Sequence, residues 1–140
     1  MNQSASSHRV VEGDQVAVDP SGPFLYVMQL AENPPVLVRV PVAGGAAIPI
    51  PVPEGLRVTV NDMPANAADA HGRLVFDVSS ADSFFYGPTL YDPARKSVTR
   101  IPLRFEGSVW SPIWTEDGRI AALGARFAGS IWRHHPVRPL

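Results

Sequence analysis

At 140 residues, 45% hydrophobic and 18% charged, the chain has the composition of one folded domain rather than the apolar-poor, highly charged signature of a disordered one. Twelve Lys and Arg against 13 Asp and Glu leave a formal net charge of -1, which provides no positive field to collect a phosphate backbone and argues against nucleic acid as a partner. With no cysteine, disulfides, thiolate zinc sites, iron–sulfur clusters and a cysteine nucleophile are excluded, while cytoplasm and periplasm both stay open.

The opening residues, Met1 to Arg9, contain no apolar signal segment, and no run approaches the ~18 apolar residues of a membrane span. No membrane insertion is expected, and the compartment depends on whether further sequence lies upstream. Residues 1–15 read as an N-terminal extension or a stray outer strand. Beyond them, 15 prolines and 11 glycines punctuate the chain, and each weakens a helix interior by ~1 to 3 kcal/mol. Long helices are excluded. Short apolar or alternating runs bounded by turn residues predict strands at Phe24–Met28, Val36–Val42, Leu74–Val78, Val98–Phe105 and Ile120–Leu123. Pro64–Ala70 has good helix formers but spans only a turn or two, so a loop-and-strand reading is preferred there. In Val98–Phe105, Thr99, Ile101, Leu103 and Phe105 share one face and Arg100 and Arg104 the other. Pro102, which lacks a ladder donor, assigns this run to an outer edge.

A repeat runs through these elements. Asp19-Pro-Ser-Gly22, Asp69-Ala-His-Gly72 and Glu116-Asp117-Gly118 each precede an apolar strand, with 50 positions from Gly22 to Gly72 and 46 from Gly72 to Gly118. In the first copy a polar loop (Ala31–Pro35), a strand (Val36–Val42), the turn Ala43-Gly44-Gly45 and a strand through Ile48 and Ile50 follow. The second copy repeats that order with Ala81–Tyr86, Pro88–Tyr91, Asp92–Lys96 and Ser97–Phe105. The third supplies Arg119–Gly124, the loop Ala125–Gly129 and the strand Ser130–His134, without an outer strand. Such a period approaches the ~40 to 45 residues of a propeller blade. The expected fold is all-β, a partial β-propeller of about three four-stranded antiparallel blades with the last incomplete. Its expected blades are 16–60, 61–107 and 108–136, followed by a tail, 137–140. Because propellers close with ~4 to 8 blades, three cannot close a ring. The chain is expected to be a fragment of a longer propeller, or to close with a second copy.

Three segments carry a family likeness: Ser111-Pro112-Ile113-Trp114-Thr115-Glu116-Asp117-Gly118-Arg119-Ile120, Val40-Pro41-Val42-Ala43-Gly44-Gly45, and Ser130-Ile131-Trp132-Arg133. The chain resembles the TolB-type, WD-repeat-like propeller blades of bacterial proteins over roughly Val16 to His134. Its wording at Ala70–Arg73, Asp92–Lys96 and Trp114–Gly118 is similar to C-terminal sensor propellers attached to receptor-type protein kinases or transcriptional regulators. The resemblance implies the last blades of a TolB-like propeller that binds protein or peptide. In such a blade the Asp-Gly turns join the innermost and second strands, and Trp114 and Trp132 bridge neighbouring blades.

Catalytic motifs are missing. No Gly-x-Ser-x-Gly elbow, phosphate-cradling Gly-x-x-x-x-Gly-Lys-Ser/Thr loop, His-Glu-x-x-His or Gly-x-Gly-x-x-Gly occurs, so no enzymatic activity, cofactor or metal is expected. Asn61, Asp62 and Asp69 form the one candidate cation set, placed as in lactonase-like propellers; capping of turns by their side chains is the preferred account. His134 and His135 with Arg126, Arg133 and Arg138 form a basic cluster, read as a solvated tail. Ser79, Ser80, Asp82 and His71 crowd one loop and turn without triad geometry. Phe84, Phe85 and Tyr86 are expected to pack between blades, with an exposed contact surface as the alternative. The function expected from the sequence is a non-enzymatic protein- or peptide-binding module. The alternatives are a metal-dependent lactonase-like propeller enzyme and a propeller closed by homo-oligomerisation.

Overall fold

The computed structural model describes residues 9–59 and 61–129. Ten strands occur in chain order: β1 (Gln15–Val18), β2 (Phe24–Gln29), β3 (Val36–Pro41), β4 (Ile48–Pro49), β5 (Leu56–Val58), β6 (Leu74–Ser80), β7 (Tyr86–Asp92), β8 (Ser97–Arg100), β9 (Ser108–Trp114) and β10 (Ile120–Ala125). Among the described residues no helix is long and apolar enough to cross a membrane, and the fold is all-β. The strands form three antiparallel sheets: a four-stranded meander β1-β2-β3-β4, a second meander β5-β6-β7-β8, and the pair β9-β10.

Burial of β6 organises the molecule. Leu74, Phe76 and Val78 face the first sheet and share a core with its Ala17, Tyr26, Met28 and Leu37, with the Tyr26 and Tyr91 rings edge to face at 6.2 Å. On the opposite face Val75 and Asp77 meet Pro112 of β9. The run Leu-Val-Phe-Asp-Val is therefore buried throughout, as a strand covered on both faces must be. The far face of the first sheet, Val27, Val38 and Val40, is covered by Val10 and Val11.

The three repeated turns share one conformation. The N–H groups of Gly22, Gly72 and Gly118 donate to the carbonyls of Asp19, Asp69 and Thr115 at 2.8, 2.9 and 2.9 Å. Each glycine has positive φ, at 94, 70 and 76°, the left-handed conformation that closes a short hairpin and that other residues adopt at a cost. The position three residues before the glycine caps the turn with its side chain. Asp19 accepts from Ser21, Asp69 from His71 and Arg73, and Thr115 from Arg119.

Of the expected strands, Phe24–Met28, Val36–Val42, Leu74–Val78, Pro88–Tyr91 and Ile120–Leu123 recur with ends shifted by one or two residues, while Val98–Phe105 is cut to Ser97–Arg100. Ile101 N–H donates one more bond to Pro88, and Pro102, with no N–H, follows the end of the ladder. Its strand does lie at the sheet edge, but Val98 packs on the core and Thr99 is exposed, the reverse of the expected facing. Pro64–Ala70 forms a turn closed by Ala67 N–H donating to Pro64, then a bridge from Ala68 to Leu74. The first strand of each sheet, β1, β5 and β9, carried no strand prediction. In β9, Ser111 has φ of 51° and Pro112 follows, beside an irregularity between Ala121 and Leu123, so a bulge hides the alternation.

Candidate functional site

Hairpin turns place the chemistry-bearing side chains on two opposite rims. One rim carries the three repeated turns, packed side by side. The Tyr26 hydroxyl donates to the Gly72 carbonyl, and Trp114 Nε1 donates to the Arg73 carbonyl at 3.0 Å, with the Arg73 guanidinium 4.6 Å from the indole centre. Trp114 thus bridges the second and third sheets. Burial pushes the Tyr26 phenol well above its usual range. The Arg119 guanidinium and the Thr115 hydroxyl hold the Asp117 carboxyl down at about 2. Asp92 is lowered too, first by the Arg95 N–H that its side chain accepts.

The other rim exposes aromatic rings among charged residues, Asp82, Glu106 and Arg126. It carries the β6–β7 connection, the residues leading into β9 and those leaving β10. Phe84 is 93% exposed; Phe85 meets the 68% exposed Phe127 at 6.2 Å between centres, the rings tilted by 54°. Phe105 lies over Gly124, with the Arg126 guanidinium 5.5 Å from its ring. Beside this cluster β10 pairs only with β9 among the described residues, and its Leu123 is exposed. A strand with one unpaired edge offers backbone donors and acceptors to another extended segment.

Between the second and third sheets runs a seam fastened at three places along β9, the last of them also by Trp114 N–H donating to the Asn66 carbonyl at 3.0 Å. Tyr86 N–H donates to Ser108 Oγ at 2.9 Å, Ser111 N–H to Asp77 Oδ2 at 2.8 Å, and Trp114 Nε1 to the Arg73 carbonyl. The middle one is a carboxylate only 5% exposed. Asn61 Nδ2 also donates to Oδ2, at 3.4 Å, whereas Oδ1 is buried without a hydrogen-bond partner. Burial raises the Asp77 carboxyl to about 6.

Not all residues singled out in the sequence come together. Asp69 is spent in its turn, capping His71 and Arg73 and pairing with the Arg73 side chain at 2.5 Å. Asn61 and Asp62 line a separate cavity of about 10 Å³ beside Asp77. Among the described residues no group of three or more His, Asp or Glu could hold a metal, and a hard cation takes six or more oxygens. His71 sits before β6 and Ser79 and Ser80 at its far end. They do not crowd one loop: a seven-residue strand separates them by about 20 Å. Phe84 does not pack between sheets, because its loop points the ring outward; Tyr86 is half-buried at the start of β7. Trp132, His134, His135, Arg133, Arg138, the Ser130–His134 strand and the tail 137–140 lie outside the described residues, as do residues 1–8. Asp77 was missed, although an acid in the middle of an apolar strand is itself a signal. No protein-family model, curated protein or solved structure matches the chain.

Proposed function

We propose that the chain is a non-enzymatic protein- or peptide-binding module, an arc of about three blades of a TolB-like β-propeller. Support for the arc comes from successive antiparallel meanders that repeat one glycine turn on one rim. A single observation carries the binding role: the edge of β10, unpaired among the described residues, lies beside the exposed Phe84, Phe85 and Phe127. An extended peptide added there gains backbone bonds along the edge, and its alternate side chains reach the rings.

Titration of isotope-labelled protein with peptides of about ten residues, alternating Val or Phe with Thr or Glu, tests the reading by NMR. Saturable shifts at Ile120–Phe127 and at Phe84 and Phe85 are expected, and weaker binding by Phe84→Ser and Phe127→Ser. Failure of every peptide to bind, or a response confined to the glycine turns, overturns it.

A second copy is the competing occupant. Val16 and Val18, 53% and 54% exposed on β1, give the first sheet an apolar outer margin to match that of the third. A solution mass of two chains, reduced to one by Leu123→Lys, supports closure by self-association; a monomer at high concentration excludes it.

A further inference from the structure

Asp77 has no role in the proposed partner surface, yet its placement is costly. Its carboxyl sits at the middle of the seam, where β6 of the second sheet meets β9 of the third. An ionised carboxylate removed from water needs a cation or a full set of donors. The groups around Asp77 supply neither. From β9 come the Ser111 N–H and the apolar Pro112; from the segment after β5 come the Asn61 amide, Thr59 and Met63; from the first sheet comes Met28. The strand partner on β7 is Pro88. Asp62 is the other titratable group on this cavity, a potential like charge, and no Lys, Arg or His lines it. One carboxyl oxygen is left without a partner.

We propose that Asp77 is a proton-operated latch on the seam between the second and third sheets: its protonated form favours the closed seam, and its ionisation favours a state in which β9 lifts and the carboxylate meets water. The bulge at Ser111, with its positive φ, is the point of β9 that the latch holds, and the flanking fastenings at Ser108 and Trp114 do not titrate near neutrality. Because burial disfavours the charged form, the closed state binds a proton more tightly than the open one, and linkage then requires opening to increase as pH rises. The carboxyl's rise from 3.8 to about 6 sets the range over which the latch acts.

Amide hydrogen exchange, corrected for its intrinsic pH dependence, reads the opening directly. Between about pH 4.5 and about pH 7.5, exchange through opening at Val109, Ser111 and Ile113 should increase roughly twentyfold relative to β2 and β3 amides, from a shift of two units. Asp77→Asn should remove that dependence, and Asp62→Asn should preserve it. A β9 opening constant that does not change with pH, or one abolished by Asp62→Asn, overturns the proposal. Should Asp77→Asn fail to fold, carboxyl carbon NMR of the unaltered protein still decides. A midpoint near 6 supports the latch and one below about 4 rejects it.

Discussion

Gly72 lies so close to the Asp19 carboxylate that a methyl group on its α-carbon would stand 2.8 Å from Oδ2. The contact joins the turn of the second sheet to that of the first, and the Tyr26 hydroxyl on the Gly72 carbonyl fastens it. Gly118 has a similar φ, but nothing within 4 Å of the same position. The pair separates two costs of losing a glycine.

Gly118→Ala should destabilise by about 1 kcal/mol, from the left-handed backbone alone. Gly72→Ala adds displacement of a fully buried carboxylate and should cost about 3 kcal/mol, in the range of overpacking a core. Urea denaturation of both variants measures the difference; equal losses would show that the Asp19 contact is easily relieved.

Arg39 supplies the counter-charge for Asp19, at 3.3 Å, and lies 3.5 Å over the Phe24 ring. Arg39→Met leaves Asp19 buried without its cation, and breaking such a pair costs about 3 kcal/mol or more. Adding Asp19→Asn removes the stranded charge. The double variant is therefore expected to be more stable than Arg39→Met, and a double-mutant cycle checks it; simple additivity would deny the pairing any energetic role.

The folded state holds the Asp77 proton at pH values where the unfolded chain has released it, because the carboxyl stands at about 6 instead of 3.8. Relative to Asp77→Asn, stability of the native protein is thus greatest below about pH 4, falls as pH climbs to about 6, and is level above that. The whole change amounts to about 3 kcal/mol, two units at 1.36 kcal/mol each. Asp117, held down at about 2, works in the opposite sense: its contribution is present above 3.8 and lost as pH falls towards 2. Chemical unfolding of both proteins across pH 4 to about 7.5 isolates the Asp77 part. Parallel curves would place its carboxyl in the ordinary range.

Trp114→Phe keeps a ring under Arg73 but deprives the Arg73 carbonyl of its indole donor. A loss of about 1 to 2 kcal/mol is expected, with exchange increased at β9 and unchanged at β3. Uniform loss of protection throughout would mean that the third sheet does not open independently.

The sequence makes the glycine turns legible because Gly22, Gly72 and Gly118 each follow a residue that caps its own turn, a local cause with a local sign. Strands β2, β3, β6, β7 and β10 are legible for a similar reason, since their runs are bounded by turn residues. The first strand of each sheet is not, because Gln15–Val18 and Leu56–Val58 are short and Ser111-Pro112 breaks the alternation of β9. Distance along the chain also misleads about sites. His71 and Ser79 are eight positions apart, yet a strand carries them to opposite rims, while Ser111 reaches Asp77 across 34 positions. The outward turn of Phe84 depends on where its loop ends, which composition does not encode.

One consequence follows from the double covering of β6. Both neighbouring layers are nailed to the same plank, so no cut leaves two self-sufficient halves: removing the first layer strips Leu74, Phe76 and Val78, and removing the last strips Val75 and Asp77. Stepwise trimming from either terminus should therefore end in abrupt collapse once the centre is bared, with no stable shortened remnant.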